Sequence, residues 1–186
     1  MDFPPIVANN PNLAYQLFLA LLIASNTQPQ GPYPYLDVLT RLPPTLPSFD
    51  LLVRLLQDTS IVIDPATGGK TTIADVVRME VLGRFIHGSI RWLDTSEREE
   101  QEGLISDDRV AKGVQNVRGY HVFWLCAYTH ATSCVQLCRF YASLLRLSVV
   151  DVGVDADTAE MAHFTLRHSR FEEATMLYRL LAAGRF

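Results

Sequence analysis

Proline divides this chain into two parts of different character. All ten prolines lie between Pro4 and Pro65, and residues 66–186 contain none. Proline fixes the backbone angle φ and lacks an N–H donor, so it is excluded from the interior of helices and of central strands. The distribution predicts a proline-rich N-terminal arm over residues 1–47, extended apart from one short amphipathic helix, and a core domain over residues 48–186.

Apolar periodicity predicts that the core domain is an all-α helical bundle. Residues 72–93 carry apolar side chains near the helical period, and Thr72 with Asp75 forms a capping box at their start. Gly184 is predicted to end the last helix. Further helices are predicted over residues 13–24, 49–57, 107–118, 120–147 and 158–183, with a strand-like run over residues 61–63 and a mainly irregular acidic stretch over residues 94–108.

Charge and hydropathy argue against two broad classes of protein. The formal net charge is −4, from 16 basic and 20 acidic residues, which disfavours nucleic-acid binding by bulk positive charge. The apolar stretch over residues 13–25 is too short to span a bilayer, and the stretch over residues 122–138 is interrupted by polar side chains, so no membrane partner is predicted. The three cysteines lie close together on one predicted helix, and reduced thiols in an intracellular protein are expected.

Two short motifs invite a chemical interpretation, and neither is complete. Four candidate metal ligands recur at intervals of four residues: Cys126, His130, Cys134 and Cys138. A row of that length on one helix spans about 18 Å, so the four side chains cannot converge on one ion. Residues 61–72 resemble a phosphate-binding loop, but Asp64 stands where the first glycine belongs, and a turn followed by a helix cap is predicted instead. Catalysis, a metal and a cofactor are therefore not predicted.

Arginine side chains decorate the predicted C-terminal helices. For any single arginine, an exposed ion pair within the chain is the expectation. Taken together, two helices lined with arginine would form a narrow phosphate-binding groove in a protein of acidic net charge. The candidate RNA-binding residues are Arg139, Arg118, Arg167 and Arg170.

Part of the long predicted helix resembles the coat proteins of flexuous filamentous RNA viruses, the potexviruses and their relatives. Residues 136–142 read Gln-Leu-Cys-Arg-Phe-Tyr-Ala, close to the family stretch Gln-Phe-Cys-Arg-Tyr-Tyr-Ala, and residues 130–135 are similar to its lead-in. Phe171-Glu172 is similar to a later Phe-Asp pair of the family. The resemblance implies a helical core, a groove where Arg139 contacts single-stranded RNA while Glu172 orients an arginine, and an N-terminal arm that docks on the next subunit.

The predicted arm agrees with that implication. Leu13, Leu17 and Leu21 share one face of its short helix, and a small bundle offers this face no obvious place for burial. A head-to-tail contact with a neighbouring subunit would bury these leucines, and such contacts build filaments where the rotation does not close. The three leucines are therefore predicted to form a subunit interface.

The sequence thus predicts a viral coat protein, a structural capsid subunit that self-assembles helically around single-stranded genomic RNA. Its partners would be copies of itself and the RNA, and it would be found in the virion and in the host cytoplasm. Two alternatives stay open: an icosahedral shell protein of the hepadnavirus-core type, and a cellular all-α adaptor that binds other proteins. No enzymatic activity is predicted.

Overall fold

The structure, a computed structural model, describes residues 3–25, 31–63, 68–101, 130–152 and 157–184. These residues are mostly helical, and the predicted all-α fold is confirmed. The helices are α1 (Phe3–Asn9), α2 (Pro11–Ala24), α3 (Tyr33–Thr40), α4 (Leu46–Leu55), α5 (Ile73–Val77), α6 (Gly83–Gln101), α7 (His130–Arg146), α8 (Asp157–Arg167) and α9 (Glu172–Ala183), with short strands β1 (Ile61–Ile63) and β2 (Lys70–Thr72). None of the helices in the described ranges combines the length and the apolar character that a membrane span requires.

The N-terminal segment is helical where an extended arm was predicted. Pro11 occupies the first turn of α2, and first-turn prolines also occur in α3 and α4. A proline in the first turn removes an N–H that would have no helical partner anyway, so it starts a helix rather than breaking one. Helices α1 and α2 pack on α4, and the Phe3 ring packs at a tilt against the fully buried Phe18 with ring centroids 4.9 Å apart. The division of the chain at residue 47 stays a prediction.

The centre of the core is a cluster of three aromatic rings. Phe49 of α4, Phe85 of α6 and Phe140 of α7 are all buried. The Phe49 and Phe140 rings stack at 4.9 Å, and the Phe85 ring meets them edge-on at 5.8 and 6.0 Å. The cluster therefore joins α4 to α6, which precedes residues 102–129, and to α7, which follows them.

Helices α5 and α6 are joined without a break by one π-helical turn over Arg78–Leu82. Four residues advance an α-helix by 400°, so side chains spaced four apart drift by about 40° at each step. A π turn takes up the equivalent of one extra residue and returns the row to the core. The buried side chains of this row are Ile73, Val77, Val81, Phe85, Ser89 and Leu93.

The described residues of the segment that resembles a phosphate-binding loop form two antiparallel strands, and the second strand leads into a capped helix. Strands β1 and β2 are antiparallel, with Ile61 opposite Thr72 and Ile63 opposite Lys70. The Thr72 hydroxyl accepts a hydrogen bond from the backbone N–H of Asp75, as predicted for the start of this helix. A phosphate-binding loop instead leads from a parallel strand, so the antiparallel pairing argues against one, and the predicted cap is present. The predicted turn lies partly outside the described residues.

Replacing Thr72 with alanine is expected to lower the free energy of unfolding by about 1 kcal/mol, because the Asp75 N–H loses its cap. Thr71→Ala is the matched control, since the Thr71 hydroxyl caps no backbone N–H and lies 3.5 Å from the Asp75 carboxylate. Urea denaturation followed by circular dichroism measures both. Equal losses in the two variants would show that the cap does not stabilise this helix.

The C-terminal region differs from the prediction in its segmentation. The predicted helix over residues 158–183 is two helices, α8 and α9, with a corner between them. Gly184 ends α9 with a left-handed backbone (φ 58°), which confirms the predicted cap. The α6 helix extends to Gln101, through residues predicted to be irregular. The predicted helix over residues 107–118 and the start of the one over residues 120–147 lie outside the described residues.

Candidate functional site

Two of the predicted RNA-binding arginines belong to a ladder of paired polar side chains between α6 and the α8–α9 region. Each pair joins residues 73 positions apart in the chain, so α6 and α8 run parallel. The three pairs are His87–Glu160 at 2.8 Å, Asp94–Arg167 at 3.1 Å and Glu97–Arg170 at 3.4 Å. Exposed pairs of this kind each stabilise a fold by about 1 kcal/mol or less, so the ladder aligns the helices more than it strengthens the fold.

Arg139 also has a carboxylate partner within the chain. Its guanidinium donates to Glu173 Oε1 at 2.6 Å. A hydrogen bond from the backbone N–H of Glu173 itself and the contact with Arg139 lower the pKa of the Glu173 carboxyl below its ordinary value. Glu172, the predicted supporting residue, is its exposed neighbour, and Arg118 lies outside the described residues. Three of the four predicted arginines therefore form the intramolecular ion pairs that were expected for any single one.

The predicted interface leucines lie at different depths on α2. Leu13 is 55% exposed, whereas Leu17 and Leu21 are partly buried and pack against the core. The side of α2 that faces the core carries Ala14, Phe18 and Leu22, one position further along the chain than the predicted face. Each residue turns a helix by 100°, so an offset of one position places Leu17 and Leu21 on the flank of α2.

The opposite side of α2 is exposed and uncharged. We define the α2 outer face as Leu13, Gln16, Ala20 and Ile23, all exposed, with Ile23 at 44%. Helix α2 contains no Asp, Glu, Lys, Arg or His in its 14 residues. An exposed helix of a folded domain ordinarily carries charged side chains on its outer face. The α2 outer face is therefore the candidate functional site of the described chain.

Two polar contacts hold α2 in place beside the end of α4. The Tyr15 hydroxyl donates to Asp58 Oδ2 at 2.5 Å, and Arg54 donates to Asn12 Oδ1 at 2.6 Å. The hydrogen bond to Asp58 and burial raise the pKa of Tyr15. Because Tyr15 and Asp58 are 43 residues apart, no local sequence signal identified this contact. Both residues also line an open polar cleft of about 460 Å³ beside α2.

The cysteines do not form a metal site in the described part of the chain. Cys134 and Cys138 are buried in α7, and burial raises the pKa of both thiols to about 12. A thiol with such a pKa is neutral at physiological pH. Among the described residues, no three His, Cys, Asp or Glu side chains are grouped as metal ligands. Cys126 lies outside this part.

The comparison with protein families gives one extensive match. A family model described as CNOT11, CCR4-NOT transcription complex subunit 11, matches residues 7–182. No curated protein and no solved structure matches the chain significantly.

That match overturns the predicted viral function. It covers nearly the whole chain, whereas the similarity to potexvirus coat proteins is strong only over residues 136–142. The matching family consists of subunits of a cellular complex, so the predictions of a capsid subunit, a helical homopolymer around single-stranded RNA and a location in the virion are wrong. The match does not test Arg139, Arg118, Arg167 and Arg170 as phosphate-contacting residues, which were chosen from the arginine pattern, and that assignment stays a prediction.

Proposed function

Because this chain belongs to the family of CCR4-NOT transcription complex subunit 11, we propose that it is a non-catalytic protein-interaction subunit of a CCR4-NOT transcription complex. This is the cellular all-α adaptor that the sequence left open as an alternative. Its partners would be other protein subunits of that complex, and it would act inside the cell. The family match over residues 7–182 is the observation that carries the proposal.

The chemistry of the α2 outer face supports this role. Exposed apolar side chains on an uncharged helix favour contact with another macromolecule, because water contact with apolar surface is unfavourable. Leu13 and Ile23 expose about half of their surface on a helix without any charged side chain. Three of the predicted arginines already pair with carboxylates of this chain. Binding of a charged partner at these arginines is therefore less favoured than apolar contact.

The full chain, carrying an affinity tag and expressed in its own cells, is expected to co-purify with other CCR4-NOT subunits. Quantitative mass spectrometry of the purified material measures their enrichment. A folded all-α protein of similar size with the same tag serves as the control. Enrichment no greater than in this control would contradict the proposal, and a tagged subunit of the complex that fails to recover this chain would do so independently.

A further inference from the structure

We propose that the outer side of α6 is a docking surface for an acidic segment of another protein subunit of the complex, and that carboxylates of this segment pair with Arg91 and Arg98. We define the α6 basic face as Arg91, Trp92, Thr95 and Arg98. The inference rests on the proposed function, since it requires that the chain is assembled with other subunits. It adds a place of contact and the chemistry of the partner segment.

The two arginines of this face have no carboxylate partner within the described chain. Arg91 and Arg98 are exposed, and neither guanidinium forms an ion pair or a hydrogen bond with a described residue. By contrast, Arg84, seven positions before Arg91, pairs with Glu80 at 2.9 Å. Seven positions turn an α-helix by 700°, so Arg91 and Arg98 lie on the same side of α6, about 10.5 Å apart along the axis. Two cations without a counter-charge therefore stand in one exposed row.

The described carboxylates of α6 that lie nearest to this row are engaged elsewhere. Asp94 pairs with Arg167 at 3.1 Å, and Glu97 pairs with Arg170 at 3.4 Å, both in the ladder. The basic face is therefore locally positive on a protein whose formal net charge is −4. A positive patch attracts and orients a segment of opposite charge, so charge complementarity identifies the partner segment as acidic.

Trp92 supplies an apolar contact beside the arginines. Its side chain packs partly against the core and leaves the rest exposed. Thr95, a smaller residue, lies between Arg91 and Arg98 and leaves room for close approach. Tryptophan and arginine are enriched among the residues that contribute most to binding at protein interfaces. The face therefore combines charge recognition with an aromatic contact, as protein-binding surfaces do.

The number of cations favours a protein segment over RNA. Tight nucleic-acid binding at physiological salt rests on the order of six to ten phosphate contacts, whereas this face offers two unpaired arginines. Two carboxylates satisfy two guanidinium groups, each through a paired hydrogen bond. A helix that carries Asp or Glu at positions i and i+7 matches the spacing of Arg91 and Arg98, because it has the same rise per residue.

The backbone of this face is held in place before a partner binds. Helix α6 is packed on α7 and α8, and the ladder fixes its side towards α8. The Thr95 hydroxyl donates to the carbonyl of Arg91 at 2.9 Å, so it is already engaged within the helix. Docking would order chiefly the side chains of Arg91 and Arg98, which limits the entropic loss on binding.

The first test combines Arg91→Glu with Arg98→Glu in the tagged full chain. The matched control, Arg146→Glu with Arg179→Glu, changes the net charge equally at exposed arginines of α7 and α9 that also lack a partner in the described chain. Recovery of other CCR4-NOT subunits at physiological salt is expected to fall roughly tenfold for the α6 variant, because two attractive contacts become repulsive, and to stay unchanged for the control. Replacing both α6 arginines with lysine keeps the charges and is expected to preserve most of the recovery.

The outcomes separate this inference from the proposed function. If the wild-type chain recovers no CCR4-NOT subunit, the proposed function fails and this inference fails with it. If the wild type recovers them and the α6 variant and the control behave alike, only the docking surface is overturned. Ribonuclease treatment that abolishes the difference would show that the face binds RNA, which also overturns it. Should circular dichroism show that the α6 variant is unfolded, Arg91→Gln with Arg98→Gln takes its place, and recovery at the wild-type level would then overturn the proposal.

A photo-crosslinking amino acid in place of Thr95 identifies the occupant directly. In the purified complex it is expected to crosslink to another subunit, at a segment that carries Asp or Glu side chains. The same amino acid in place of Met176, which is 54% exposed on α9, is the control and is expected not to reach that segment. The absence of a crosslink from position 95, or a crosslink to RNA, to a second copy of this chain or to a segment without acidic side chains, would overturn the proposal.

Discussion

Replacing Phe85 with alanine is expected to lower the free energy of unfolding by about 3–5 kcal/mol. Phe85 is fully buried, and its ring packs edge-on against those of Phe49 and Phe140. The cavity would open where α4, α6 and α7 meet, so neighbouring side chains cannot fill it without moving whole helices. Domains of this size are typically stable by about 5–15 kcal/mol, so the variant would lose a large share of its stability.

Urea denaturation monitored by circular dichroism measures this loss. Phe85→Leu keeps most of the buried volume and is expected to lose less than half as much as Phe85→Ala. Met79→Ala is the control from the same continuous helix, because Met79 is 65% exposed and its truncation is expected to change stability by less than about 0.5 kcal/mol. A Phe85→Ala loss below 1 kcal/mol would contradict the packing of the three rings.

Replacing Asp58 with alanine is expected to lower the free energy of unfolding by about 2–3 kcal/mol. The Asp58 carboxylate accepts hydrogen bonds from the Tyr15 hydroxyl at 2.5 Å and from the Ser60 backbone N–H at 2.8 Å. Its removal leaves both donors without this acceptor. Tyr15→Phe removes one donor and leaves the carboxylate hydrogen-bonded to Ser60, so a loss of about 1–2 kcal/mol is expected.

The contribution of Asp58 is also expected to depend on pH. Burial raises the pKa of its carboxyl, but the hydrogen bonds from Tyr15 and Ser60 lower it by more, and the net pKa lies below the ordinary value of 3.8. A lowered pKa in the folded state means that the ionised carboxylate stabilises the fold. This stabilisation is complete well above pH 3.8 and is lost as the pH falls below 3.8 through the folded-state pKa.

The stability difference between the wild-type chain and Asp58→Asn, measured by urea denaturation from pH 7 to pH 2.5, reports this effect. The difference is expected to be constant at neutral pH and to shrink as the pH falls below about 4. Other carboxyl groups, including that of Glu173, titrate in both proteins and cancel in the difference. A difference that stays constant down to pH 2.5 would show that Asp58 does not stabilise the fold as a carboxylate.

The resemblance to coat proteins was misleading for a structural reason. Within residues 136–142, the side chains of Leu137, Cys138, Phe140 and Tyr141 are buried in α7. Their spacing and size are what any helix requires when it packs on several neighbours, so unrelated helical bundles can share them. Only Arg139 of this stretch is strongly exposed, and it pairs with Glu173. A short match made mostly of core residues therefore carried information about the fold and little about function.

The sequence by itself determined the features that depend on a few neighbouring residues. The all-α class, the Thr72 cap and the Gly184 end of the last helix follow from periodicity and from local backbone preferences, which act over about one helical turn. The prolines were misjudged because a proline that starts a helix and one that prevents a helix look alike until the following turn is seen to fold.

Only the tertiary structure decided which side of α2 faces the core. The helix is apolar all round, so its own residues do not single out a buried side, and packing on α1 and α4 selected Ala14, Phe18 and Leu22. The Tyr15–Asp58 contact and the ladder between α6 and α8 join residues 43 and 73 positions apart, which no local pattern relates. The exposed outer face of α2 exists because these long-range contacts buried the other side, so the candidate site is a product of packing.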